Sequence, residues 1–133
     1  MSAYSEFPVH EFKDKELLTA ALKAMGYVPT CDAQLSDYWN EYRGKAPTVD
    51  LLIPKSQLAR TYDDIGFKRN ADGSYSAVIG DMDRRKGFNN NWLAQLKANY
   101  TEAGVIRQAK KIGLIPISRK LVNGKVTLVY QRA

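Results

Sequence analysis

An alternation of apolar and polar residues on both sides of a turn is the clearest pattern in the middle of the chain. Ile65 and Phe67 alternate with smaller or polar neighbours before the turn, and Tyr75 and Ile79 do so after it. The turn between them, at residues 70–73, ends in Asp-Gly, which tolerates the positive φ angles that tight hairpins need. This pattern predicts a β-hairpin with one buried and one wetted face.

Two further stretches carry apolar residues at helical spacing. The first starts after Asp14, whose carboxylate can accept hydrogen bonds from free backbone N–H groups, and it ends before Gly26. The second starts near Trp92, after asparagines that can cap it, and it closes at Gly113. We therefore predict two helices, each with one apolar face. The buried face of the second helix is predicted to contain Trp92, Leu96, Tyr100, Ala103, Ile106, Ala109 and Ile112.

Other apolar runs predict the remaining strands. Strands are expected at residues 7–12, 27–31 and 48–53, and an Asn-Gly turn at residues 123–124 predicts a second hairpin. Residues 32–47 form the least regular part, with a short strand expected near Tyr42, and residues 84–91 have the composition of a basic loop. The order of these elements predicts an α+β fold. We expect a single domain over residues 1–133, with an antiparallel-rich sheet and two helices packed on one face.

Composition places the chain among ordinary folded proteins. Its 133 residues, 44% of them hydrophobic and 26% charged, suffice to bury a core without metals or disulfides. No apolar run approaches the ~20 residues of a membrane span, and the first residues lack the pattern of a signal peptide. The single Cys31 excludes an internal disulfide and fits a reducing compartment. These features predict a soluble, interior location, with Cys31 itself as a small buried residue.

The net charge of +6 is unevenly distributed along the chain. Residues 1–66 contain 7 Lys or Arg and 10 Asp or Glu, whereas residues 67–133 contain 13 and 4. Such asymmetry indicates an anionic partner, either nucleic acid or an acidic protein surface. A solvated basic surface that only keeps the protein in solution is the alternative interpretation. The cations expected to contact the partner are Lys68, Arg69, Arg84, Arg85, Lys86, Arg107 and Lys111.

An aromatic group in the irregular segment suggests a protein-binding loop. Tyr38, Trp39, Tyr42 and Arg43 stand among polar residues there. Trp, Tyr and Arg dominate the hot spots of protein interfaces. The second hypothesis is therefore a protein–protein adaptor that binds through these four residues. Its binding is expected to depend less on salt than binding through the cations.

The aspartates around the central hairpin are the candidates for a divalent-ion or acid–base site. Asp81 and Asp83 would share one face if the second strand continued through them, and Asp64 directly precedes the first strand. Their oxygens suit Mg²⁺ or Mn²⁺. Turns and strand ends commonly carry Asp for local hydrogen bonds, and we favour that structural role here. A metal-dependent enzyme is therefore the third and weakest hypothesis, and no metal, cofactor or catalytic residue is assigned.

Residues in and around the central hairpin resemble those of a conserved hypothetical family. They are Asp64, Ile65, Gly66, Phe67, Asn70, Asp72, Gly73, Tyr75, Val78 and Asp81, supported by residues 14–18, Leu22, Gly26, Tyr27, Arg43, Gly44, residues 49–53 and residues 124–132. The family includes the chloroplast reading frame Ycf-thirty-five and bacterial and phage proteins. The chain departs from it in the enlarged segment 32–42 and the basic residues 84–86. The resemblance implies no reaction and a cyanobacterial, plastid or phage-infected setting, hence the cytoplasm or the plastid stroma.

The leading hypothesis rests on the charge pattern and on the absence of known catalytic motifs from the sequence. No Gly-x-x-x-x-Gly-Lys-Ser/Thr loop and no Gly-x-Ser-x-Gly elbow is present in the sequence. We therefore expect a non-catalytic binding protein whose basic second half engages an anionic partner, with RNA or single-stranded DNA as the first candidate.

Overall fold

The computed structural model describes residues 4–36, 46–59 and 61–132. Within these residues lie seven strands and three α-helices. Five strands and the first helix come in the first part of the chain, in the order β1 (Tyr4–Val9), α1 (Lys15–Ala24), β2 (Thr30–Gln34), β3 (Thr48–Ile53), β4 (Ile65–Arg69) and β5 (Tyr75–Gly80). The remaining elements are α2 (Asp81–Arg85), α3 (Asn90–Lys111), β6 (Leu114–Val122) and β7 (Lys125–Arg132).

The strands form two separate antiparallel sheets. The larger sheet has five strands in the order β1-β5-β4-β3-β2, and β6 pairs with β7 in a second sheet. The central pair is the predicted hairpin, with Phe67 opposite Ala77 and Arg69 opposite Tyr75. Helices and antiparallel sheets therefore combine in an α+β fold, as predicted.

The main core lies between one face of the five-stranded sheet and the helices. Phe67 and Ile79 on that face are fully buried and belong to one apolar cluster with Leu18 of α1 and Leu96 of α3. Trp92 joins this cluster with only 7% of its surface exposed. Each buried side chain of this size contributes about 1.5–3 kcal/mol to folding, so this cluster holds α1 and α3 on the sheet.

A smaller apolar cluster covers the opposite face of the sheet. Leu52 and Val78 are buried there with Val49, Leu35 and Ala46. The last two come from the chain on either side of residues 37–45, and the Leu35 N–H donates to the Pro47 carbonyl over 2.9 Å. The second face is therefore not open to water, although antiparallel sheets often leave one face wet.

Local sequence signals are confirmed at both long helices and at the last turn. The Asp14 carboxylate accepts a hydrogen bond from the Leu17 N–H at 3.1 Å and caps α1, while Asn89 caps α3 by accepting from the Asn91 N–H at 3.0 Å. Asn123 and Gly124 both have positive φ angles, 52° and 75°. These angles are the ones that a two-residue type I′ turn requires.

Several boundaries and environments differ from the predictions. The first strand ends at Val9, because the chain turns there and the Phe12 N–H donates to the Val9 carbonyl, which places Phe12 in the core. The second strand is shifted to Thr30–Gln34. Cys31 is exposed on that edge strand, so its predicted burial was wrong. Ile112, which follows the last residue of α3, is 68% exposed instead of buried.

The predicted loop at residues 84–91 begins inside a helix. β5 ends at Gly80, and α2 follows directly with Asp81 and Asp83 in its first turn and Arg84 and Arg85 in its last. Carboxylates at the start and cations at the end of a helix are both stabilised by the helix dipole. Asp81 and Asp83 therefore do not share the face of a continued strand.

Candidate anion-binding surface

The structure separates the cations that the sequence predicts as one set. Lys68 and Arg69 end β4, and Arg69 lies opposite Tyr75 at the start of β5. The cations of α2 follow Gly80 at the other end of β5. Since a strand rises ~3.3 Å per residue, the two groups stand about 17 Å apart along the sheet. They form two basic areas instead of one.

The three consecutive cations at α2 differ in their surroundings. Arg84 pairs with Asp81 at 3.5 Å and places its guanidinium 4.8 Å from the centre of the Phe7 ring. The Lys86 ammonium lies 4.2 Å from the centre of the Tyr62 ring. Arg85 is exposed and makes no ion pair with any residue that the structure describes. Two of the three cations are therefore already engaged within the protein.

Arg107 joins α3 to the start of α1. Its guanidinium donates to the Asp14 carboxylate over 2.9 Å and lies 3.8 Å from Glu16. Burial opposes ionisation of Asp14, but hydrogen bonds from the Leu17 N–H and from Arg107 outweigh it, so the pKa of Asp14 lies below its usual value of 3.8. Arg107 thus has an internal anion, which reduces the charge it can offer to a partner.

Asp14→Asn tests this ion pair, because Asn keeps the helix cap and removes the charge. We expect the free energy of unfolding near pH 7 to fall by at most ~1 kcal/mol, since both partners are partly exposed. A lowered folded-state pKa adds stability above the unfolded value, and that stability is lost as the pH falls through the folded pKa. Urea unfolding of the wild type and of Asp14→Asn is therefore expected to converge in acid. A difference that stays constant at low pH contradicts the ion-pair interpretation.

Lys111 belongs to a run of the chain that has no acidic residue. Residues 103–132, the C-terminal basic segment, contain seven Lys or Arg and no Asp or Glu, whereas the rest of the chain contains 13 and 14. The whole net positive charge of the protein is therefore located in this segment. Only Arg107 and Lys111 of this segment are among the cations predicted to contact the partner, although thirty residues without an acid are themselves a signal of a basic surface. The cations not selected are Lys110, Arg119, Lys120, Lys125 and Arg132.

Most of these cations are exposed on the end of α3 and on the β6–β7 hairpin. Arg119 pairs with Glu102 of α3, as Arg107 pairs with Asp14. The others are exposed and form no ion pair within the described part of the chain; they are Lys110, Lys111, Lys120, Lys125 and Arg132. Five uncompensated charges in thirty residues make this the most cationic surface that the structure describes.

The β6–β7 hairpin has two faces with different environments. Val126, Leu128 and Tyr130 of β7 are half-buried and, with Val105 and other α3 residues, line a cavity of about 510 Å³. This inner face also carries Arg119, which lies opposite Leu128. The alternate residues form the outer face, made of the cross-strand pairs Ile115–Gln131, Ser118–Val129, Lys120–Thr127 and Val122–Lys125. All eight are exposed.

Three of the aromatic residues near the basic areas, Phe88, Trp92 and Tyr100, are engaged within the protein. Phe88 and Trp92 are buried in the core, with ring centres 5.5 Å apart. The Tyr100 hydroxyl accepts hydrogen bonds from the Lys13 and Asp14 N–H groups at 3.1 and 3.0 Å. The expectation that Trp92 and Tyr100 serve the core is thereby confirmed.

The aspartates of the central region accept hydrogen bonds from other residues of the protein. Asp64 accepts from the Ser36 and Lys55 N–H groups at 3.0 and 2.8 Å, and Asp83 accepts from those of Tyr62 and Asp63 at 2.8 and 3.1 Å. Asp81 accepts from the Ser5 hydroxyl at 2.7 Å. Over residues 4–36, 46–59 and 61–132, no three His, Cys, Asp or Glu side chains come together as a metal site.

The predicted protein-binding residues cannot be assigned a geometry. Tyr38, Trp39, Tyr42 and Arg43 lie outside the described residues, so their predicted role stays a prediction.

In the described part of the chain, no helix combines the length and the apolar character that a membrane span needs.

Comparison with known proteins places the chain in a family. Neither a curated protein nor a solved structure matches it. A family model described as "Protein of unknown function (DUF1257)" matches residues 21–129. The match covers the last turn of α1, the whole five-stranded sheet except β1, both later helices and most of the β6–β7 hairpin. The chain therefore belongs to the DUF1257 family.

Proposed function

We propose that the protein is a non-catalytic binding protein that engages an anionic partner through the C-terminal basic segment, with nucleic acid as the first candidate. The observation that carries this proposal is the presence of seven cations and no acid over residues 103–132. Positive charge without interspersed acid attracts polyanions from a distance and raises association rates. The proposal assigns no catalytic residue and no cofactor.

Nucleic acid is the first candidate because its phosphates are closely and regularly spaced. Each phosphate that a cation neutralises releases counterions and adds about −0.9 to the slope of log K against log salt for a DNA duplex. Arg107 and Arg119 are paired internally, so five exposed cations remain. Full engagement of these five predicts a slope of about −4 to −5. An acidic protein surface carries fewer charges per unit length and gives a weaker dependence on salt.

A titration of labelled nucleic acid at about 50 mM and about 200 mM salt tests the proposal. The double variant Lys120→Gln/Lys125→Gln removes two exposed charges from the hairpin, and we expect it to bind more weakly with a slope smaller by about 2. Lys13→Gln/Lys23→Gln is the matched control, because it removes two exposed charges from the neighbourhood of α1. Equal losses in both variants show non-specific attraction only, and no binding of any nucleic acid at low salt overturns nucleic acid as the partner.

The second basic area is tested by a separate variant. Arg85→Gln/Lys86→Gln removes two charges at α2, about one strand length away from Arg69. If α2 belongs to the same binding surface, this variant also lowers the salt slope. An unchanged slope limits the surface to the C-terminal basic segment.

The cellular setting belongs to the same proposal. The resemblance to the plastid reading frame Ycf-thirty-five supports a location in the cytoplasm of a cyanobacterium or phage-infected cell, or in the plastid stroma. Localisation of a tagged full-length chain in such a cell tests this part of the proposal independently of binding.

A further inference from the structure

We propose that the outer face of the β6–β7 hairpin lies in the major groove of double-stranded DNA. This inference rests on the proposed function and names the class of nucleic acid and the surface that meets it. The observation behind it is a two-stranded sheet, separate from the main sheet, whose outer face is exposed and carries no acid.

The dimensions of the hairpin fit this groove. The major groove of B-DNA is ~12 Å wide and admits a two-stranded β-ribbon. The two strands have nine and eight residues, so at ~3.3 Å per residue the ribbon is about 27 Å long. The type I′ turn at Asn123 and Gly124 keeps its end narrow.

The inner face fixes the direction in which the outer face points. Leu128 and Tyr130 line the cavity against α3, and Arg119 pairs with Glu102 of the same helix. The ribbon is therefore held on a 22-residue helix and presents one face to the outside. A surface ordered before binding loses less conformational entropy when a partner docks.

The side chains of the outer face match the groups exposed in the major groove. Lys120 and Lys125 can donate to guanine O6 and N7 or to phosphates, and Ser118 and Thr127 can donate or accept. Val129, which is 43% exposed, offers an apolar contact for a thymine methyl group. Protein interfaces also use apolar and basic residues, so an acidic protein is the competing occupant that the experiment must distinguish.

Two features favour duplex DNA over other nucleic acids. Proteins that bind single strands combine a basic groove with aromatic rings on which the bases stack, and the outer face has no such ring, because Tyr130 lies on the inner face. The major groove of an RNA duplex is too deep and narrow for side chains to reach its bases. The ribbon therefore fits a DNA duplex best.

The first experiment compares duplex DNA, the corresponding single strand and duplex RNA by fluorescence anisotropy at equal salt. We expect duplex DNA to bind at least about tenfold more tightly than the other two. Thr127→Glu places a negative charge on the outer face and is expected to remove this preference, since like charges across an interface repel. Thr30→Glu is the matched control, because Thr30 is an exposed strand residue of the other sheet.

The second experiment probes the apolar contact directly. An alternating A·T duplex is compared with one in which uracil replaces thymine, which removes only the methyl groups. Since a buried CH₂ or CH₃ group is worth ~0.8 kcal/mol, each contacted methyl changes affinity about fourfold. We expect this difference for the wild type and its loss in Val129→Ala, with circular dichroism confirming that both proteins are folded.

The outcomes separate the inference from the proposed function. Equal binding of single strands and duplexes that weakens in Lys120→Gln/Lys125→Gln overturns the major-groove inference and leaves the proposed function in place. Binding of neither nucleic acid nor polyglutamate at low salt overturns both. Salt-sensitive binding of polyglutamate in place of nucleic acid overturns the major-groove inference and the choice of nucleic acid as first candidate, and it identifies an acidic protein as the anionic partner.

Discussion

Replacement of Asp83 by alanine is expected to lower the free energy of unfolding by about 3–5 kcal/mol. The Asp83 side chain is fully buried and accepts hydrogen bonds from the Tyr62 and Asp63 N–H groups at 2.8 and 3.1 Å. A hydrogen bond to a charged acceptor contributes ~1.5–3 kcal/mol, and Ala leaves both donors without this acceptor. The effect should therefore be among the largest of any single substitution in this chain.

The position of Asp83 explains why the effect of its replacement should extend to the main core. It lies in α2, and its carbonyl also accepts from the Phe88 N–H at 3.2 Å, which leads the chain back to the buried Phe88 ring. Asp83 thus joins the segment before β4 to α2 and, through Phe88, to the main core. We expect loss of near-ultraviolet dichroism around these aromatic residues in addition to the lower stability.

Urea unfolding followed by circular dichroism measures the effect. Asp83→Asn keeps one acceptor oxygen and should lose less stability than Asp83→Ala. Asp81→Ala is the control, because Asp81 is in the same helix but its side chain is 41% exposed, and it should cost less than ~1 kcal/mol. If Asp83→Ala is as stable as Asp81→Ala, Asp83 does not hold this junction together.

Gly66→Ala is expected to lower the free energy of unfolding by about 1–3 kcal/mol. A Cβ atom at Gly66 would lie 2.7 and 2.9 Å from the two methyl carbons of Val49 and 3.1 Å from a methyl carbon of Leu35. Both neighbours are buried on the second face of the sheet, and the branched Val49 side chain has few alternative rotamers. Space for one methyl group can then come only from a shift of packed atoms.

A double-mutant cycle isolates this close approach. Val49→Ala removes the two methyl groups that clash, so Gly66→Ala should cost much less in that background than in the wild type. Gly104→Ala is the control within α3, where a Cβ would lie 3.6 Å from Leu17 and the helix interior favours Ala by up to ~1 kcal/mol. Equal costs of Gly66→Ala in both backgrounds would show that Val49 is not the cause.

Features that depend on neighbouring residues were predictable from the sequence. The central hairpin, the strand Thr48–Ile53, the caps at Asp14 and Asn89 and the Asn123-Gly124 turn all lie where the pattern predicts them. A cap or a turn forms through hydrogen bonds and φ angles within about four residues. The same residues therefore favour the same conformation before any distant contact exists.

Short elements without such local signals were not predictable. α2 has five residues, and the acceptor at Asp83 that anchors it takes its hydrogen bonds from residues about twenty positions earlier. A helix of this length is not stable by itself, because nucleation costs more than a single turn returns. Its local sequence is therefore basic and turn-prone, and we expect the helix to form only when the segment before β4 packs against it.

The sequence by itself determined the α+β class, the two long helices, the hairpins and the concentration of positive charge in the second half. Only the tertiary structure decided which cations remain exposed: Arg107 meets Asp14 across 93 positions, and Arg119 meets Glu102 on α3. The tertiary structure also decided that β6 and β7 form a sheet separate from the main one and expose one face of it. The physical reason is that charge is a property of each residue, whereas its neutralisation and exposure depend on residues that folding brings together.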